Sequence, residues 1–279
     1  MERTDQLTDM PSAAQASPAA QASPTGGEKK EIFRCSNVSK TFTSKTRSLE
    51  VIRDISLSVY EKEFVVFFGP AECGKTTLIN ILSGLDSPSS GEILQHGAPI
   101  TGPGKERGVI YQSIALFPWL TVMGNVEFGP KARGVDKQEY RKKAQYFIDL
   151  VGLGGFEKAF PNQLSGGMKQ RVGIARAYCS DPEVLFMDEP FGALDAQTRY
   201  MMEQEISRIH IAEKRTVVFV TNNIEEAIYL ADRIIVLRNR PTSVRKTYDI
   251  DIPRPRDYTS PAFLSLREEI TRMLDPAAD

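Results

Sequence analysis

None of the 279 residues falls in an apolar run approaching the roughly 18 that a membrane span requires, and the N-terminus lacks the continuous apolar core of a secretion signal. The chain is therefore expected to be soluble, or bound to a membrane only through another protein. Cysteine is scarce too. Cys35, Cys73 and Cys179 have neither metal-ligand spacing nor a paired arrangement, which argues against a disulfide framework and suits a reducing cytoplasm. An excess of charge of either sign is also missing, because 35 Lys and Arg stand against 36 Asp and Glu. A near-neutral chain offers no global field to hold nucleic acid, so none is expected as a partner.

What is present is organised around residues 64–82. Phe64-Val65-Val66-Phe67-Phe68 reads as a buried strand, and Thr77-Leu78-Ile79-Asn80-Ile81-Leu82 as the start of a helix. Between them Gly69, Pro70, Ala71, Glu72, Cys73, Gly74, Lys75 and Thr76 match G-x-x-x-x-G-K-[ST], in the strand-to-helix setting a phosphate-binding P-loop needs. Inward-pointing N–H groups and the helix N-terminus supply donors and a favourable dipole for a polyphosphate. Lys75 would reach the β and γ phosphates, and the Thr76 hydroxyl would sit on Mg²⁺. Cys73 reads as filling a loop position, with reaction toward thiol reagents as the alternative.

Residues 1–30 are rich in Ala, Ser, Pro and Gln, and AAQASP occurs twice, so a disordered tail with little to bury is expected there. Alternating runs at 32–35, 55–59 and 91–94 predict an antiparallel β layer beside the P-loop strand. Phe42 is either core or a ring on which an adenine stacks. Residues 108–112 read as a strand ending on Gln112. The Phe117-Pro118-Trp119 loop beyond it is either a docking surface or covered by the following helices. Asp136 to Glu139 resembles a capping box, and Tyr140, Ala144, Phe147, Ile148 and Val151 then mark one helix face.

Ser165, Gly166 and Gly167 open a further helix whose bare N–H groups are either a second anion site or an ordinary cap. Residues 184–189 form an apolar strand closed by two carboxylates: Asp188 can serve Mg²⁺, and Glu189 can orient or deprotonate a water. Runs at 217–220 and 234–237 are strands around a helix at about 224–231. Strands alternating with helices predict an α/β fold with a mostly parallel sheet, covered on both faces, that binds ligands at its carboxyl ends. A proline-punctuated tail ends in a short helical pattern at 263–274, expected on the surface.

Taken in order, the P-loop, Gln112, Leu164-Ser165-Gly166-Gly167-Met168-Lys169-Gln170-Arg171, Asp188-Glu189-Pro190 and Ala193-Leu194-Asp195 resemble the nucleotide-binding subunit of an ABC transporter over roughly residues 32–274. Phe117-Pro118-Trp119-Leu120-Thr121-Val122 and Ile252-Pro253-Arg254-Pro255-Arg256 are most similar to the nitrate, sulfonate and taurine importer branch. The resemblance implies a RecA-like P-loop NTPase fold with an antiparallel β subdomain and a helical signature subdomain at about 115–165. The nucleotide-binding domain would span 31–245, with 246–279 an extension packed on it. Two cassettes, of like or unlike chains, would meet head to tail with ATP between the P-loop of one and the signature of the other. Residues 69–77 would cradle the phosphates, Thr77 included, while Phe42 stacks adenine. Thr76, Gln112 and Asp188 would serve Mg²⁺, Glu189 would be the general base, and Ser165, Gly166 and Gly167 would grip the γ-phosphate held by the partner. A separate membrane-spanning permease would dock near 112–122 at the cytoplasmic face of the membrane, with an external solute-binding protein in the same system.

The chain departs from that family at three places. Thr221-Asn222-Asn223 stands where a Thr-His-Asp is usual, and neither His96 nor His210 is placed to substitute. The Asn222 amide can donate to a γ-phosphate but cannot hold a proton or a charge. Ala71 and Glu72 are also unusual in the P-loop. A carboxylate aimed at phosphate would repel it by roughly 4 kcal/mol at 4 Å with an effective dielectric of 20, and one facing water would be nearly harmless. Slow hydrolysis is expected, because losing one transition-state donor costs about 10² to 10³ in rate. The competing readings are an ATP-sensing regulatory cassette and a soluble ABC protein acting on DNA or ribosomes.

Overall fold

A computed structural model describes residues 30–113 and 115–274. Its elements run β1 (Glu31–Thr43), β2 (Ser48–Tyr60), β3 (Phe64–Phe68), α1 (Lys75–Ser83), β4 (Ser90–Gln95), β5 (Ala98–Pro99), β6 (Arg107–Ile110), α2 (Val122–Ala132), α3 (Lys137–Leu150), α4 (Gly166–Cys179), β7 (Val184–Asp188), α5 (Ala196–Glu213), β8 (Thr216–Thr221), α6 (Ile224–Leu230), β9 (Arg233–Leu237), β10 (Val244–Asp249) and α7 (Pro261–Leu274). The strands form two sheets. The smaller is antiparallel in the order β2-β1-β4-β5, and the larger runs β10-β9-β3-β8-β7-β6.

In the larger sheet β6, β7, β8, β3 and β9 are parallel, and only the edge strand β10 is antiparallel. Strands covered on both faces need apolar side chains at every position, which is why they appear in the sequence as unbroken apolar runs. Alternate residues then enter two different cores. Phe64, Val66 and Phe68 pack with Val126, Ile174, Ile206, Ile228 and Phe263 on the helical side. Val65 and Phe67 pack with Ile32, Ile55, Leu78 and Ile93, so α1 and the antiparallel sheet cover the other side.

Most sequence expectations about elements match the structure, and the exceptions have physical causes. The strand read to end on Gln112 stops at Ile110, leaving Gln112 in the segment beyond the sheet. The long helix α5 is not legible as an apolar stripe, because Glu203, Ser207 and His210 are buried alongside Met202, Ile206 and Ile209. Residue 245, read as the end of the nucleotide-binding domain, lies inside β10, whose pairing with β9 makes it part of the large sheet. The expected tail at 1–30 lies, apart from Lys30, outside the described residues. Asp136 caps α3 by accepting from the N–H groups of Gln138 and Glu139.

The C-terminal segment packs against α6, burying Phe263 and Ile270. Its arginines fasten it. Arg256, itself buried, donates to the carbonyls of Ile228 at 2.6 Å, Tyr229 at 3.1 Å and Ala231 at 2.6 Å, while Arg254 donates to that of Leu230. These are the carbonyls a helix end leaves without partners, so two guanidinium groups complete the C-terminus of α6. Tyr258 stacks on Tyr229 with ring centroids 4.6 Å apart and donates its hydroxyl to Glu203 of α5.

Burial pushes the Glu203 carboxyl up to about 7, against the opposing hydrogen bond from Tyr258 and with the help of the Glu226 charge. A carboxyl raised above its unfolded value of 4.5 binds more protons folded than unfolded, so stability falls as pH rises from about 4.5 to about 7 and is flat above that. Glu203→Gln keeps an acceptor for Tyr258 and should remove this slope. Urea midpoints measured at pH 5 and pH 8 should therefore differ less in the variant than in the wild type.

Candidate functional site

The carboxyl ends of β3, β8 and β7 lie level. Phe68 is in register with Thr221, and Val220 with Asp188, so the loops after these strands open on one rim of the sheet. Gly69 through Thr76 leave β3 there, and Gly69 N–H reaches the Thr221 carbonyl at 3.4 Å. Gly74 caps α1 with φ +117°, and a Cβ there would lie 2.7 Å from Thr242 Oγ1 and 2.8 Å from Val51, so glycine is required on two counts.

The lysine is fully engaged. Lys75 Nζ donates to the carbonyls of Gly69 at 3.1 Å and Pro70 at 2.6 Å and pairs with Glu189 Oε1 at 3.2 Å, using the three donors of an ammonium. Glu189 follows β7 at φ +42°, a left-handed conformation that orients its backbone toward Val220, whose carbonyl accepts the Glu189 N–H at 3.0 Å. Burial pushes the neighbouring Asp188 carboxyl up; its bond with the Thr76 hydroxyl opposes this and the Glu189 charge adds to it. Gln112 comes close to the same turn, since a Cβ on Gly192 would lie 2.9 Å from Gln112 Nε2.

The remaining sequence candidates fall elsewhere on the surface or the rim. Pro70, Ala71, Glu72 and Thr76 are exposed, Thr77 is half-buried, and Glu72 adopts φ +59°. Cys73 is buried and burial raises its thiol, so it is poorly disposed toward thiol reagents. Phe42 is 46 % exposed, with the Lys40 amine 5.0 Å from its ring centroid, so it is not a core residue. Asn222 is exposed in the turn after β8. Ser165 caps α4 through Met168 N–H, and Ser165, Gly166 and Gly167 line a cleft of about 350 Å³ with Ala193, Leu194 and Asp195. No P-loop residue lines that cleft, so the signature and the P-loop of one chain occupy separate places.

Two anchors escaped the sequence reading. Arg240 Nε donates to the Glu72 carbonyl at 3.2 Å, and the Thr242 hydroxyl donates to that of Cys73, so the connection between β9 and β10 holds the P-loop from behind. No local pattern joins residues so far apart in the chain, and only the fold reveals them.

A strand, a glycine-bounded loop closed by Lys75 and Thr76, and acidic residues at the end of a neighbouring parallel strand define a P-loop nucleoside triphosphatase. The ABC transporter family model matches residues 52–192, and the chain belongs to that family as an ATP-binding cassette of the transport ATPases. It is 42 % identical over 239 residues to the aliphatic sulfonates import ATP-binding protein SsuB of Bacillus cereus, covering 85 % of this chain and 94 % of that one. It is 40 % identical over 247 residues to the nitrate import ATP-binding protein NrtD of Synechocystis sp., covering 85 % and 93 %. A solved dimeric ATP-binding cassette in a post-hydrolysis state, bound to ADP and Pi, superposes with a TM-score of 0.68 at 30 % identity, covering 78 % of this chain and 99 % of that one.

Thr242→Val removes the donor to a buried carbonyl behind the P-loop. The expected cost is about 1 to 3 kcal/mol, read as a lower denaturant midpoint at unchanged slope, together with weaker ATP binding in an equilibrium titration.

Proposed function

We propose that this chain is the ATP-driven subunit of an importer for a small solute of the nitrate, sulfonate or taurine type. The main support is similarity to two importer cassettes along most of the chain, joined to an exposed aromatic surface near β6, the edge strand of the large sheet. Trp119 is 71 % exposed, its ring is 5.6 Å from that of Phe117, and Phe117, Phe128 and Arg176 line a cleft of about 470 Å³. An apolar, partly aromatic cleft of this kind suits a helix of a membrane-spanning permease. No helix among the described residues is long and apolar enough to cross a membrane, consistent with a peripheral subunit held at the cytoplasmic face by that permease. An external solute-binding protein belongs to the same reading.

In the proposed site two cassettes meet head to tail, and the cleft at Ser165, Gly166 and Gly167 of one faces the P-loop of the other. Phosphates entering the loop compete with the Gly69 and Pro70 carbonyls and with Glu189 for the Lys75 ammonium. That exchange frees the Glu189 carboxylate to accept a proton from water. Phe42, already exposed, stacks the adenine. Thr76 and Asp188, in contact with each other, together with Gln112 offer hard oxygen donors that fit Mg²⁺, which usually takes one or two protein ligands beside phosphate oxygens. When bound, the ion would neutralise phosphate charge.

Asn222 favours slow turnover on this chain's own P-loop, with an ATP-sensing regulatory cassette as the second reading. The side chain sits on the rim next to the P-loop strand but carries no titratable group. The intact signature leaves a faster composite site open to an unlike partner.

Three outcomes test these statements. Glu189→Gln should lower kcat for ATP by about 10² or more, with ATP affinity within about threefold of wild type by calorimetry. Asn222→His should raise phosphate release by about tenfold, whereas ordinary wild-type turnover unchanged by Asn222→Ala would contradict the slow-site reading. Purified from detergent-solubilised membranes, the full chain should bring down a permease and Trp119→Ala should not; recovery with nucleic acid instead would reverse the assignment.

A further inference from the structure

Two turns at the rim are joined inside the protein by a polar chain that none of the roles above uses. The first turn, at 221–223, carries Asn222. Thr221 Oγ1 accepts the Asn223 N–H at 2.9 Å and donates to Glu226 Oε2 at 2.6 Å, so the hydroxyl fixes the turn from within. The second turn, at 193–195, lines the signature cleft and leads into α5.

Arg199 of α5 lies between them. It donates through one guanidinium nitrogen to the Leu194 carbonyl at 3.2 Å, and its Nε is 3.5 Å from Glu226 Oε1. Arg199 Nε has no hydrogen-bond partner among the described residues, so its link to Glu226 is a charge contact that depends on Glu226 being ionised. Glu226 is 4 % exposed. Burial pushes its carboxyl up, Thr221 and Arg199 pull it down, and the Glu189 charge also pushes it up, which puts Glu226 within electrostatic reach of Glu189. A buried carboxylate with one oxygen bonded to Thr221 and the other facing Arg199 is costly unless both partners stay in place.

We propose that Arg199 and Glu226 are positioning residues that couple the turn at 193–195 to the turn at 221–223, so that the signature cleft and the Asn222 side of the P-loop rim move as one unit. The coupling rests on the cassette reading above for its role in hydrolysis, because the turn at 193–195 faces a partner cassette and the turn at 221–223 faces this chain's own nucleotide. A purely structural pair would stabilise α5 against α6 and affect nucleotide binding and turnover together. Coupled positioning acts on turnover alone.

Glu226→Gln tests this in the full-length chain, because it keeps the shape and a hydrogen-bonding partner for Thr221 while removing the charge that holds Arg199. Without nucleotide, amide hydrogen exchange across 192–198 should speed up several-fold in Glu226→Gln. With saturating Mg-ATP, kcat should fall about tenfold while KM for ATP stays within about twofold, as for other groups that orient a reacting residue. Arg199→Lys should be intermediate between wild type and Arg199→Ala. The double variant Arg199→Ala with Glu226→Gln should be no slower than the worse single one. Unchanged exchange across 192–198, or multiplicative losses in the double variant, would overturn the coupling. Absence of ATPase activity in the wild-type chain would sink the cassette reading instead, and the exchange measurement would still decide whether the two turns are tied.

Discussion

The level at which β3, β7 and β8 end is the constraint on which the site depends. Parallel pairing brings Phe68 opposite Thr221 and Asp188 opposite Val220, which sets the P-loop, the acidic pair and Asn222 on one rim. Slipping β7 by one residue would exchange the faces of Met187 and Asp188 and drive a carboxylate into the helical core. The register is protected by burial: side chains of these strands alternate between two closed cores, and neither accepts a polar residue without a partner. The fold thus carries its chemistry at the one end of the sheet where the strands stop and polar groups become affordable.

Much of this is legible in the sequence, where the cause is local. The P-loop and β3 are read from contiguous residues, and Asp136, Ser165 and the acidic end of β7 announce themselves by position next to apolar runs. What escaped is what depends on distance or on buried polarity. Helix α5 hides because Glu203, Ser207 and His210 interrupt its buried face, and each of these polar groups has its reason only in another element. Arg254 and Arg256 were visible as a branch marker, yet their work of completing the end of α6 could not be read from spacing. Arg240 and Thr242 are likewise meaningful only once the P-loop is seen resting on them. Composition left Phe42 and Trp119 open between core and surface, and both are exposed.

Lys75 and Ser165 divide the proposed function between two places. At the P-loop the lysine is held by two carbonyls and Glu189. The signature serine, by contrast, opens on a cleft shared with the turn at 193–195 and with no P-loop residue. In the proposed arrangement such a chain holds two halves of different sites, and a solved dimeric cassette bound to ADP and Pi is similar to it over 78 % of its length. In that proposed arrangement Asn222 bears on only one of the two composite sites, the one built on this chain's phosphate loop.

Sedimentation of the Glu189→Gln chain with and without Mg-ATP addresses that central claim most directly, since slowed turnover preserves the nucleotide-bound form. The account predicts a shift from monomer to a species of twice the mass that reverses when the nucleotide is removed. If an unlike chain is the true partner, the shift appears only when that chain is added. A protein that binds Mg-ATP at saturation yet remains monomeric both alone and with its co-purifying cassette would contradict it.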